Sequence, residues 1–127
     1  MVKIFLDANV FIDLIEKRRK IALDNLRSHH VMISPLSVHI LAYLYKYKIP
    51  QNKLLKSLEQ IMMIPFTENI TGKALLGPTE DFEDNVQLHS AAQEECDVFL
   101  TNDRDLLSMR FFGKTQIMNK LLDNQLS

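Results

Sequence analysis

The sequence predicts an α/β fold: a central parallel sheet of about five strands flanked by helices on both faces, in three layers. Short apolar runs rich in Val, Ile and Phe read as buried strands, and segments with apolar residues at helical spacing lie between them. That alternation of strand and helix is the pattern of a parallel sheet covered on both sides. Length adds a bound, since 127 residues with 46% hydrophobic and 24% charged side chains bury one core and not two. Residues 1–127 are therefore expected to form a single domain.

The strands, in order, are expected at 2–6 (VKIFL), 31–33 (VMI), 61–64 (IMMI), 98–100 (VFL) and 116–118 (QIM). A first helix is expected over Asn9 to Lys17, with Val10 and Leu14 inward, and a continuation over Ala22 to Ser28 after the basic run Lys17–Lys20. Ser34 before Pro35 is a helix start, because Ser accepts from free first-turn amides and Pro suits the first helical position; this helix is expected to run to about Tyr47. Another spans Gln51 to Gln60, and the clearest spans Glu83 to Glu95, with Val86, Leu88, Ala91 and Ala92 inward. The interval 67–81 holds two of the three glycines and reads as a surface loop with at most one helical turn. The chain has no internal repeat and no low-complexity segment.

Composition excludes several classes. A single cysteine, Cys96, rules out an internal disulfide and an all-cysteine metal site, and fits a reducing cytoplasm. Asp7, Asn9 and Asp13 interrupt the N-terminal apolar stretch, so it lacks the unbroken apolar core expected of a signal peptide, and no segment approaches the ~20 apolar residues of a membrane span. The net charge of −1 excludes a strongly basic nucleic-acid binder; such binding would be local or metal-assisted.

The chemistry is expected to lie with the acids. "TEDFEDNVQLHSAA", residues 79–92, packs Glu80, Asp81, Glu83 and Asp84 into five positions. One or two acids would complement a helix dipole, at about 0.3–1 kcal/mol each, and four exceed that need. Asp7 follows the first strand and Asp103 lies three residues past the strand 98–100, so both occupy carboxyl ends, where open α/β sheets bind ligands. Asp84 opens the helix leading to that later strand. Three converging carboxylates repel unless cations or protons neutralise them. Hard oxygen donors of this kind suit Mg²⁺ or Mn²⁺, and the chemistry implied is metal-dependent phosphodiester hydrolysis.

The segments "IFLDANVFIDLI", "SPLSVHILAYL" (34–44) and "DFEDNVQLHSAAQEECDVFLTNDRDL" (81–106) resemble, in order and spacing, the signature blocks of PIN-domain nucleases. The resemblance spans nearly the whole chain. It implies a Mg²⁺ or Mn²⁺ site and endonucleolytic cleavage of RNA; small bacterial members are often toxins of toxin–antitoxin pairs, which makes an antitoxin protein an expected partner. Residue by residue, Asp7, Asp84 and Asp103 match the family acids that are catalytic and hold the metal. Asn9 matches the polar residue that orients the first acid, and Thr101 is the usual polar neighbour of Asp103. Asp105 and Asp81 lie close enough to support the site, whereas Glu80 and Glu83 have no family counterpart and are expected to be solvated. One block departs from the pattern: Ile40 stands where the family commonly has a second acid, and His39 beside it points about 100° away on a helix.

Other features have ordinary readings. His39, His89 and the pair His29-His30 read as structural, lacking metal-ligand spacing. Tyr43, Tyr45 and Tyr47 read as packing, with base stacking as the functional alternative. Lys17–Lys20 reads as a solvated helix end or as phosphate contacts. Asp7 can serve as a helix cap as well as a ligand. The sequence thus supports a metal-dependent ribonuclease, with a catalytically weakened PIN domain that binds RNA or protein as the alternative. A homodimer is expected, with Ile49, Leu54 and Leu55 as exposed apolar candidates.

Overall fold

The computed structural model describes residues 2–17, 26 and 29–121. Twelve elements are described: β1 (Lys3–Leu6), α1 (Ala8–Glu16), β2 (His30–Ile33), α2 (Pro35–Leu44), α3 (Asn52–Leu58), β3 (Met62–Met63), α4 (Glu68–Leu76), α5 (Phe82–Gln93), β4 (Val98–Leu100), α6 (Arg104–Met109), β5 (Phe111–Phe112) and β6 (Thr115–Met118). The expected helix over Ala22 to Ser28 lies outside the described residues except for Leu26, as does the basic run beyond Lys17.

The strands form one six-stranded sheet in the order β3-β2-β1-β4-β6-β5. All five expected strands are present, and their pairings are parallel, with Phe5 opposite Met32 on one side and Phe99 on the other. A sixth strand, β5, adds to these at the edge of the sheet and runs antiparallel to β6. It escapes a periodicity reading because it is two residues long. Gly113, at φ 60° in the turn that joins it to β6, supplies the left-handed backbone that such a tight hairpin needs.

Alternation along each strand divides the core between the two faces. Ile4, Leu6, Val31, Ile33, Val98 and Leu100 pack with Val10, Phe11, Leu41 and Leu54 of α1, α2 and α3. Phe5, Met32 and Phe99 face the other way, onto Leu88 and Ala91 of α5 and Leu106 of α6. Phe5 and Phe99 stack with ring centroids 5.5 Å apart. Cys96 is buried in this second core, its thiol 3.7 Å from the Met32 sulfur, and burial pushes its pKa up to about 12.

Two expectations are revised. The 67–81 interval is not a loop: α4 takes up nine of its residues, capped by the Thr67 hydroxyl accepting from the Ile70 N–H at 3.2 Å. Gly72 obscured this helix, whose inner residues Ile70 and Ala74 pack on Val86 of α5. Leu54, offered as an exposed apolar residue, is buried at 8% exposure, whereas Ile49 and Leu55 are indeed exposed.

Candidate active site

From β1 the chain moves to β2 and β3 on one side of the sheet, then crosses back to place β4 on the other side of β1. The carboxyl ends of β1 and β4 therefore flank the point where the winding direction reverses, the crevice where open α/β sheets bind ligands. Asp7 follows β1, with its N–H donating to the Leu100 carbonyl of β4 at 2.9 Å. Thr101 and Asp103 follow β4.

Asp7 is 3% exposed and caps α1: its Oδ1 accepts from the Ala8 N–H at 2.8 Å. Its Oδ2 accepts from the Thr101 hydroxyl at 2.7 Å and from the Asn9 amide at 3.3 Å. Capping and site geometry are thus compatible in one carboxylate. The Thr101 oxygen also accepts from the Asp103 N–H at 3.0 Å, so one buried hydroxyl fixes both acids. Asp103 caps α6, its Oδ1 accepting from the N–H groups of Asp105 and Leu106. Asp105 therefore supports Asp103 through its backbone, while its own side chain belongs to an exposed residue.

Asp84 reaches the same edge from α5. Its N–H donates to Oδ1 of Asp81, the N-cap, at 2.9 Å. The loop before it is clamped by Asn85, 2% exposed, whose amide donates to the carbonyls of Ala74 and Thr79 and whose oxygen accepts from the Thr79 N–H and hydroxyl. His89 closes the same loop through the Gly77 carbonyl at 2.9 Å and packs edge-on against Phe112. His29 accepts from the Val2 N–H, so the ordinary readings of His29 and His89 fit what they touch, whereas His39 is exposed.

The acids feel one another. Burial and then the neighbouring charges of Asp81, Asp7, Asp103 and Glu83 push the Asp84 carboxyl up to about 7. Asp7 is also raised, mainly by burial, with Asp103 and Asp81 adding to it and the Thr101 and Ala8 hydrogen bonds opposing it. A cavity of about 290 Å³ opens here, lined by the polar Asp7, Asn9, Asp81, Glu83, Asp84 and Gln87 together with the apolar Ala8, Ile12, Ile40 and Leu44. Glu83 thus reaches the cavity although it was expected to be merely solvated; Glu80 is exposed and does not line it. Asp103 lies outside the lining, yet its charge acts on both Asp7 and Asp84.

No group of three or more His, Cys, Asp or Glu among the described residues is arranged to hold a metal ion as it stands. Unneutralised carboxylates hold one another apart, and a hard cation that keeps several waters needs only one or two of them directly. The all-oxygen donor set around the cavity fits such an ion and not a tetrahedral thiolate or imidazole site. A second observation agrees: Gln87, 1% exposed on the cavity wall, donates from Nε2 to the Ser37 hydroxyl at 3.0 Å, while its buried Oε1 has no protein partner. That acceptor is closed to water as the side chain stands, and it meets a water at the site only when the amide turns toward the cavity.

Three residues were missed from the sequence. Asp13, 5% exposed, accepts from the Asn102 amide at 3.1 Å, and the Asn102 N–H donates to Asn9 at 3.3 Å, which braces α1 against the segment carrying Asp103. The signal was available, since Asn9 and Asp13 are four apart and share a helix face. Gln87 was legible in the same way, three residues after Asp84.

A family model described as PIN domain matches residues 4–111. No curated protein matches the sequence. Among solved structures, VapBC2 from Rickettsia felis, bound to a DNA fragment from their promoter, is similar with a TM-score of 0.67 at 19% identity, over 91% of this chain and 97% of that one.

Proposed function

The chain belongs to the PIN domain family of nucleases, and on that premise we propose that it is a divalent-metal-dependent endoribonuclease. The observation that supports this most is the convergence of Asp7, Asp84 and Asp103 from distant parts of the sequence on one carboxyl edge, close enough that the charges of Asp7 and Asp103 act on Asp84 and that of Asp103 acts on Asp7. Mg²⁺ or Mn²⁺ would be held by these three, with ligand waters completing its shell. When bound, such an ion supplies a water of lowered pKa and charge neutralisation for in-line displacement at phosphorus.

The protein's own groups have distinct tasks. Thr101 and Asn9 fix the Asp7 carboxylate, leaving lone pairs for the site. Asp81 and Asn85 hold the first turn of α5, so that Asp84 is presented without a flexible hinge. Asp103 spends one oxygen on capping α6 and keeps the other. Asp13 and Asn102 brace the α1 side, and Asp105 steadies Asp103 through its amide. Gln87 offers Oε1 as an acceptor for a water, and Ile12, Ile40 and Leu44 add apolar surface to the same cavity.

The likeness in fold to VapBC2 supports a toxin held by an antitoxin, acting in the cytoplasm, where the single free thiol suits a reducing medium. No described helix is long and apolar enough to cross a membrane. Exposed Ile49 and Leu55 are the apolar surface we assign to a homodimer. One observation favours a second reading, in which catalysis is weak and binding is the function: Ile40, at the position of the second family acid, lines the cavity.

A nuclease assay separates the two. Single-stranded and structured RNA should be cleaved with Mg²⁺ or Mn²⁺, not in EDTA, and Asp7→Asn should abolish cleavage. Equal activity in the wild type and Asp7→Asn would sink the enzymatic reading, whereas metal and RNA binding without cleavage would favour the second.

A further inference from the structure

Ile40 and Leu44, four apart on α2, line the acidic cavity. His39 and Tyr43 each precede one of them, about 100° around the helix, and so occupy the face next to the cavity wall. They are stacked on each other, with ring centroids 6.3 Å apart and planes 24° apart, and both are exposed, Tyr43 at 74%. Packing does not require a tyrosine so exposed. Beyond the helix end, Lys46 donates its N–H to the Tyr43 carbonyl at 3.4 Å, and Lys46 and Lys48 are exposed in the segment that follows.

Resting on the nuclease reading above, we propose that the His39–Tyr43 pair is a stacking platform for the bases of single-stranded nucleic acid, placing the strand beside the acidic cavity. The charges complement that occupant: the carboxylates would repel phosphate until a cation neutralises them, while Lys46 and Lys48 attract the backbone as it leaves the cavity. A flat ring pair suits bases of any identity, since each has a π-face, and it demands that they be unpaired. A duplex keeps its bases stacked internally and gains nothing from the platform. The strand is therefore read at α2 by its single-strandedness and cut at the neighbouring acids.

The chain contains three tyrosines and no tryptophan, so the difference in tyrosine emission between the wild type and Tyr43→Phe reports stacking at position 43. The full chain in Ca²⁺ is titrated with a single-stranded RNA decamer, a DNA decamer of the same sequence and an RNA duplex, following anisotropy of the labelled strand and tyrosine emission. Single strands should quench emission. Tyr43→Ala should weaken their binding about tenfold, the scale of one stacked base, and leave duplex binding unchanged. Tyr43→Phe should keep the affinity and lose much of the quenching. Unchanged single-strand affinity in Tyr43→Ala, or binding without quenching, would overturn the platform while leaving cleavage by the wild type to support the nuclease reading. Loss of a dimer in Tyr43→Ala on sedimentation would instead assign this face to a second copy of the chain. A wild type that neither cleaves nor binds nucleic acid would remove both readings.

Discussion

The Thr101 hydroxyl donates to Oδ2 of Asp7 at 2.7 Å across 94 positions of sequence, and the same oxygen accepts from the Asp103 backbone N–H. A single buried atom thereby sets the spacing of two acids that follow neighbouring strands. Thr101→Val keeps the shape and removes both bonds. It should lower stability by about 1–3 kcal/mol, since a hydrogen bond to a charged group is lost, and should weaken divalent-metal affinity. Urea denaturation with and without EDTA, together with calorimetric metal titration, measures both effects; unchanged metal affinity would mean that Asp7 is held adequately by α1 alone.

The Asp84 carboxyl titrates near 7 in the fold against an ordinary value of 3.8. A folded pKa raised in this way stabilises the protein fully below about pH 4 and loses that contribution as pH rises through 7. Without metal, Asp84→Asn should therefore be more stable than the wild type at pH 8, with the advantage shrinking toward pH 5. Denaturation midpoints of the two proteins in EDTA across this range give the test, and a difference independent of pH would exclude the coupling. In the wild type, divalent-metal affinity should climb over the same interval, because the ligand must shed its proton.

Ile40→Glu returns an acid to the cavity wall. Without metal it should destabilise the protein by adding charge beside Asp7 and Asp84, whereas with Mn²⁺ it should enlarge the thermal stabilisation by the ion and raise the cleavage rate. A variant that folds, binds Mn²⁺ more tightly and cuts no faster would show that the missing acid does not limit turnover.

Gln87→Leu tests the unpartnered oxygen. If Oε1 holds a water of the metal's shell, the variant should show a smaller rise in Tm on adding Mn²⁺ than the wild type. If the oxygen is only an unsatisfied group, the metal-induced rise is the same in both proteins.

Asn85→Ala should cost on the order of 3 kcal/mol, because the buried Ala74 carbonyl and the half-buried backbone groups of Thr79 lose their partners. Proteolysis should then begin in the 77–81 loop before global unfolding, and protection of that loop equal to the wild type would refute the clamp.

The sheet was legible because its central strands β1, β2 and β4 are short apolar runs that are almost wholly buried, and the convergence of Asp7, Asp84 and Asp103 was legible because each sits at an element boundary. What hid the rest was polar burial. Helix α5 buries Asn85, Gln87 and Ser90 alongside Val86, Leu88 and Ala91, so its hydrophobic period understates its burial. Asp13 and Asn102 look like surface residues until the fold brings α1 against the segment after β4. Helix α4 was lost to the glycine and proline count of its interval, and Leu54 shows that the apolar residues of a short helix do not reveal which one faces inward.

The chain's lone thiol has a practical consequence. Cys96 lies in the core beneath α5 with its pKa pushed up to about 12, so it is shut to thiolate chemistry while the fold stands. A thiol reagent added to the native protein will therefore record only openings of that core, giving each variant above a built-in clock for unfolding. A second cysteine installed on the surface can carry a dye without competition from the first.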